Sequence, residues 1–308
     1  MEFQHIPVLL DECIEGLNIN PAGIYVDGTA GGAGHSRAIA RRLTTGRLIA
    51  IDRDPDAVKI ATERLYGLNA RVIHDHFCNI ANILKSLEIY RIDGMLLDLG
   101  VSSYQLDNEE RGFSYHGDAE LDMRMSREGL SAKDVVNSYP YSELCRILFE
   151  YGEEKFAKSI ASNIVKAREI QPIETTARLA DIIRASIPQK FRREKNPCKK
   201  SFQAIRIEVN NELDELSQAL DAAFDLLNIG GRLAIITFHS LEDRLVKQRF
   251  ASFATGCTCP PEFPVCVCGK KPRGKLITKK PIEPTESELS ANQRSHSAKL
   301  RIIEKIRD

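Results

Sequence analysis

Short apolar runs, each closed by an acid or by a polar turn, recur through the first hundred positions of the chain. Gly23-Ile-Tyr-Val-Asp27, Arg47-Leu-Ile-Ala-Ile-Asp52, Arg71-Val-Ile-His74 and Gly94-Met-Leu-Leu-Asp98 are four of them, and continuous apolar stretches of this length read as strands buried on both faces. Between them, Ser36 to Leu43 reads as a helix. A second helix runs from Asp54-Pro55, a capping acid with proline at the first helical position, to about Tyr66. Strands alternating with helices predict a parallel sheet covered on both faces. From Tyr104 to about Arg206 the strand-like runs stop, and helical segments such as 142–151 and 154–168 alternate with polar loops. The alternation then resumes. Leu213, Leu216, Leu220, Ala223 and Leu227 keep helical spacing, Gly230-Gly231 is expected to end that helix, and Arg232 to Phe238 reads as a fifth strand. Two late strands are expected at Leu276 to Thr278 and Leu300 to Ile303. The order predicts an α/β domain over 1–105 and 207–308, interrupted by an inserted, mainly helical domain over 106–206.

Composition narrows the class. With 308 residues, 43% of them hydrophobic, the chain can bury a substantial core, which excludes a disordered protein. Its 43 basic residues balance 43 acidic ones, so no net field draws the molecule to a polyanion, and any nucleic-acid contact must come from local patches. Two stand out. Lys190 to Lys200 carries six bases and one acid, and Lys270 to Lys280 six bases and no acid. Either run is a solvated face or a phosphate-binding surface. No basic and apolar leader and no membrane-length apolar stretch is visible, so a cytoplasmic, membrane-free protein is expected. Of eight cysteines, four crowd into Cys257-Thr-Cys-Pro-Pro-Glu-Phe-Pro-Val-Cys-Val-Cys268. That is the composition of reduced thiols with one possible zinc cluster; the two C-x-C pairs differ from the usual C-x-x-C knuckles. No catalytic metal is expected.

The candidate chemistry sits at the strand ends. Asp27-Gly-Thr-Ala-Gly-Gly-Ala-Gly34 follows the first strand, where open α/β sheets bind ligands. Its glycines let the backbone approach closely, but the spacing is not G-x-G-x-x-G, which argues against a dinucleotide pyrophosphate and hence against a nicotinamide-dependent oxidoreductase. Asp52 closes the second strand, where a carboxylate accepts hydrogen bonds from both hydroxyls of a ribose. Phe77 follows the third strand, where a ring can lie on a purine, and Asp98 ends the fourth. Acids at successive strand ends suit a ligand carrying carboxylate, ammonium, ribose and adenine, as S-adenosylmethionine does. His239 follows the fifth strand on the same edge, either to contact a substrate or assist proton removal, or as a structural hydrogen-bonding residue.

Six blocks carry a resemblance: Asp27 to Ser36; Ala50-Ile-Asp-Arg-Asp54; Leu97-Asp-Leu-Gly-Val-Ser-Ser103; Arg111-Gly-Phe113 with Leu121-Asp-Met-Arg-Met125; Ser201-Phe-Gln-Ala-Ile-Arg206 with Val209-Asn210; and Phe238-His-Ser-Leu-Glu-Asp-Arg244. Together with the His5-Ile-Pro-Val-Leu-Leu-Asp-Glu12 opening, they make the chain similar to bacterial small-subunit ribosomal RNA (cytosine-N4)-methyltransferases of the RsmH (MraW) type. The resemblance implies a Rossmann-like class I methyltransferase sheet, S-adenosylmethionine as methyl donor, and a cytidine N4 amine in the decoding region of 16S rRNA as acceptor. It places cofactor contacts on Ala33, Gly34, His35, Asp52, Phe77, Asp98 and Gln105. Tyr104 and Cys198 depart from the proline and alanine common in the family.

Transfer to an exocyclic amine needs positioning and one acceptor. Asp98 or the Leu99 to Ser102 carbonyls could accept from the amine, or Asp98 could serve the cofactor alone. Methylation at carbon 5 would instead need a cysteine nucleophile, for which Cys198 is the candidate. A non-catalytic RNA-binding or ribosome-assembly protein with a nucleotide-sensing pocket is the alternative of another class. Whether the substrate is naked rRNA or the assembled small subunit, and whether the protein is a monomer or a homodimer, stay open.

Overall fold

The structure, a computed structural model, describes residues 7–191, 196–260, 265 and 267–308. Seven strands form one sheet: β1 (Ile24–Asp27), β2 (Arg47–Asp52), β3 (Ala70–His74), β4 (Ile92–Asp98), β5 (Leu227–Thr237), β6 (Gly274–Leu276) and β7 (Lys299–Lys305). Their order is β3-β2-β1-β4-β5-β7-β6. β1 to β5 pair in parallel, whereas β7 runs antiparallel to both β5 and β6. This is the α/β, Rossmann-like class I sheet expected from the resemblance. The order reverses between β1 and β4, so the crevice outside their carboxyl ends is the topological switch point where such sheets take their ligands.

The helices, in chain order, are α1 (Leu10–Leu17), α2 (Gly34–Ala40), α3 (Pro55–Arg64), α4 (Ile80–Ser86), α5 (Ser103–Asp107), α6 (Ala132–Ser138), α7 (Tyr141–Glu150), α8 (Ala157–Ile170), α9 (Thr176–Ser186), α10 (Lys199–Asn210), α11 (Glu212–Leu226), α12 (Ser240–Ala254) and α13 (Glu286–Ala291). The chain divides into two units, 1–100 with 214–308, and 101–213.

In the sheet unit, strand alternation sends successive side chains to opposite faces. Met95, Leu97, Leu233 and Ile235 pack with Ile80, Leu84, Leu220, Phe224, Val246 and Phe250 on one face. Leu96, Ala234, Ile236 and Ile302 pack with Cys13, Leu17, Ile39 and Ala61 on the other. Helices therefore cover both faces, and the long apolar runs of the sequence are explained. β5 departs from the expected pattern: α11 stops at Leu226 and the strand begins at Leu227, ahead of the glycines. The pairing with β4 slips between Ile92 and Gly94, where Gly230 takes a φ of 85° and the Asn228 amide donates to Asp93 at 2.9 Å. The glycines serve this irregularity and do not stop the helix.

Among the described residues, the second unit holds six helices, α5 to α10, around its own core, which includes Phe113, Met123, Val135, Leu148, Ile160, Ile183, Phe202 and Ile205. Its boundaries fall outside 106–206 for a packing reason. Val101 and Leu106 lie against this core, and α10 continues unbroken past Arg206 to Asn210. The Asn210 side chain accepts from the Met125 N–H at 2.8 Å and donates to the Met123 carbonyl at 2.7 Å. Arg111 donates to the carbonyls of Arg124 and Met125 at 2.9 and 3.0 Å. Two of the sequence blocks therefore meet here to hold the 121–125 segment, in which Met123 has a φ of 61°.

Among the described residues, no helix is long and apolar enough to cross a membrane.

Candidate functional site

The glycine turn after β1 is shaped by contacts that admit no side chain. A Cβ on Gly28 would stand 2.5 Å from Leu97, and one on Gly34 2.3 Å from Pro7. Ala33 caps α2 in the left-handed conformation, φ 59°, with Gly34 as the first helical residue. Asp27, expected to face a ligand, is turned inward instead: it is 1% exposed and accepts from Ser36 Oγ at 2.6 Å and Thr29 N–H at 3.1 Å. Its carboxylate braces the turn.

Asp52, at the end of β2, fixes the opposite side of the turn. Oδ2 accepts from the Gly31 N–H at 2.7 Å and Oδ1 from the Asp54 N–H at 2.9 Å. Each oxygen keeps a second lone pair for ligand hydroxyls. Burial raises its pKa to about 6 against those two amide donors, which favour the charged form.

Asp98, at the end of β4, is the most perturbed carboxyl of the site. Burial, with Asp27 and Glu242 as neighbouring negative charges, raises its pKa to about 8. Its N–H donates to Thr29 Oγ1 at 2.7 Å, locking β4 to the glycine turn. Oδ1 is sealed from solvent with no hydrogen-bond partner among the described residues. Oδ2 lies 3.6 Å from Nδ1 of His35. His35 is buried, which lowers its pKa to about 4, so the ring is neutral at physiological pH. Its Nε2 donates to the Val8 carbonyl at 3.0 Å, leaving Nδ1 as a lone-pair acceptor toward Asp98. No charge in this set balances an ionised Asp98.

Phe77 stands at the start of a single 3-10 turn after β3, half-buried against the sheet core. Beside it, the His76 ring meets Glu215 Oε1 at 2.7 Å, and Arg53 donates to Glu215 Oε2 at 3.1 Å. The start of α11 is thereby tied to the ends of β2 and β3. Thr29 and Glu215 carry no signal in the sequence. Glu215 lies 139 positions from His76, and nothing local announces the pairing.

His239 precedes α12 as its cap. Its Nδ1 accepts from the Glu242 N–H at 3.4 Å, while Glu242 Oε2 accepts from the N–H groups of Phe238 and His239 at 2.8 and 3.2 Å. Nε2 lies 3.1 Å from Glu242 Oε1 without hydrogen-bond geometry. This reciprocal cap, legible in retrospect as His239-x-x-Glu242, gives the histidine a structural task. In the second unit, Gln105 is buried in the capping box of α5, donating and accepting with Ser102. Cys198 is fully buried, its thiol donating to the Ala180 carbonyl at 3.6 Å, and burial raises its pKa. A buried thiol that resists ionisation is no ring nucleophile.

Of the Lys270 to Lys280 run, Lys270, Lys271, Lys275, Lys279 and Lys280 are exposed, while Arg273 is engaged with Asp225 at 2.5 Å. In the other patch, Lys190, Lys199 and Lys200 are exposed, and Arg192, Arg193 and Lys195 lie outside the described residues. So do Cys266 and the first two residues of the opening block, His5 and Ile6.

A sequence profile of the MraW methylase family matches residues 2–306. The chain is 58% identical over 99% of its length to a ribosomal RNA small subunit methyltransferase H from Lachnospira eligens, covering 99% of that protein. It is 57% identical over 99% of its length to a protein of the same name from Clostridium botulinum, covering 100% of it. Among solved structures it resembles an rRNA methylase from Streptococcus thermophilus, with 14% identity, 96% and 93% of the two chains covered, and a TM-score of 0.43.

Proposed function

The chain belongs to the MraW methylase family, and from that membership we propose that it methylates the N4 amine of a cytidine in the decoding region of 16S rRNA. The donor is S-adenosylmethionine, and the substrate is rRNA of the small ribosomal subunit, in the cytoplasm. Asp98 carries this reading. A carboxyl with an unpartnered, buried oxygen and a pKa raised to about 8, at the switch point of the sheet, is suited to a cation.

The residues fit the cofactor. Asp52 has lone pairs for the ribose hydroxyls, Phe77 offers a ring to the adenine, and the Gly28 to Gly34 turn admits close approach of backbone. Asp98 holds the cationic end, and His35 keeps a neutral ring beside it. The resemblance also implies a cofactor contact at Gln105, in the second unit. The cofactor supplies an electrophilic methyl on a positively charged sulfur.

The chain's own work is alignment and charge placement. A cytosine N4 lone pair is conjugated with the ring, so its attack depends on being held close and in line, with a hydrogen-bond acceptor on its N–H. We assign that acceptor to Asp98 or to the backbone carbonyls that follow it, Leu99 to Ser102. The amine then passes its surplus proton to solvent. His239 is a positioning residue that fixes the start of α12 after β5.

Small subunits purified from cells lacking the gene, incubated with the protein and labelled S-adenosylmethionine, test the assignment. The expected product after nuclease digestion is N4-methylcytidine at one position, strongly reduced with Asp98→Asn. Label in 5-methylcytidine, or full activity of Asp98→Asn, would overturn it.

A further inference from the structure

Residues 255–273 join α12 to β6 without secondary structure among those described, which is longer than the roughly 12–15 residues at which irregular loops become uncommon. The ends are close, with the Arg273 N–H donating to the Phe253 carbonyl at 2.9 Å. Its valines build no core, since Val265 is 69% and Val267 74% exposed. What converges in this loop is sulfur. The Sγ atoms of Cys257, Cys259 and Cys268 lie within 4.8 Å of one another, and those of Cys257 and Cys268 are 3.7 Å apart. A disulfide would need about 2.05 Å. Two thiolates on one edge of a tetrahedron around zinc need about 3.8 Å, from a Zn–S bond of about 2.3 Å. The Cys259 N–H also donates to Cys257 Sγ at 3.4 Å, a contact that favours thiolate charge.

The geometry points to a structural zinc site formed by Cys257, Cys259 and Cys268. An all-sulfur donor set selects a soft or borderline cation over magnesium or calcium. Three thiolates this close repel one another unless a cation neutralises them. Binding converts each thiol to a thiolate and releases its proton to solvent, so affinity falls at acid pH. With zinc in place the loop acquires the cross-link that its exposed valines cannot supply, directly ahead of the exposed Lys270 and Lys271. The ion is distant in kind from the methyl-transfer chemistry, and the inference does not depend on that assignment.

The test uses the full-length protein, prepared without a metal-affinity tag or chelator from zinc-supplemented cells. Elemental analysis is expected to give about one zinc per chain, falling below about a tenth in the Cys257→Ser/Cys268→Ser variant, with the far-ultraviolet circular dichroism unchanged. Cobalt added to chelator-stripped wild-type protein is expected to give thiolate-to-cobalt charge-transfer absorption with tetrahedral d–d bands. Wild-type protein that carries no zinc and gives no such spectrum would overturn the site, as would a double variant that keeps its zinc.

Discussion

Asp98 sets two properties of the molecule against each other. Its pKa is raised from the ordinary carboxylate range to about 8, mainly by burial, so the folded protein binds a proton that the unfolded chain releases above roughly pH 4. The stability this gives is complete at low pH and is lost as pH rises through about 8. Asp98→Asn removes that dependence, and its melting temperature at pH 8 is expected to exceed that of the wild type, measured by calorimetry. Binding responds in the opposite sense. A cationic ligand favours the ionised form, so the affinity for S-adenosylmethionine should rise by up to tenfold per pH unit toward pH 8 and level off above it. S-adenosylhomocysteine, which lacks the sulfonium charge, should show a weaker rise by titration calorimetry. At pH 8 Asp98→Asn should bind S-adenosylmethionine about 10–100-fold more weakly, the worth of a hydrogen bond to a charged group. An Asp98→Asn protein that melts below the wild type and binds unchanged would remove Asp98 from the site. Asp52 and Asp98 are legible in the sequence because each closes an apolar strand. The inward turn of Asp27 is not, because Ser36 captures it only once α2 has formed.

Elements show the same division. The strands β1 to β4 are readable because burial on both faces leaves continuous apolar runs, whereas β5 begins five residues earlier than its apolar run does, in Leu227-Asn-Ile-Gly-Gly231. Pairing with β4 overrides the polar and glycine positions there. The segment around Met123 is recognisable only as a motif; its conformation is held by Asn210 and Arg111 from distant positions. Asn210→Ala leaves the buried Met125 N–H and Met123 carbonyl without that partner, and should cost about 2–5 kcal/mol in urea unfolding. A loss of a few tenths would show that the contact is not structural. The α12 cap gives a sharper test. His239→Ala should destabilise by about 0.5–2 kcal/mol, while His239→Asn, a good cap that cannot titrate, should restore both stability and turnover. Restored stability without turnover would make the histidine a proton carrier instead of a positioning residue.

For the whole molecule, balanced charge means that RNA affinity must come from patches such as Lys270 to Lys280. Replacing Lys270, Lys271 and Lys275 by alanine should weaken binding of a 16S rRNA fragment. It should also flatten the log affinity against log salt plot by about two, since each phosphate left without its lysine removes roughly 0.7–0.9 from the slope. S-adenosylhomocysteine binding should not change. An unaltered salt slope would make the run a solvated face. Methyl transfer to a 16S rRNA cytidine is tested in the cell by mapping modified nucleosides of 16S rRNA, by mass spectrometry, in a strain lacking the gene and in the same strain restored with wild-type or Asp98→Asn protein. One cytidine is expected to lose its N4-methyl group with the gene and to regain it only with the wild type. An N4-methylation pattern identical in all three strains would contradict the assignment.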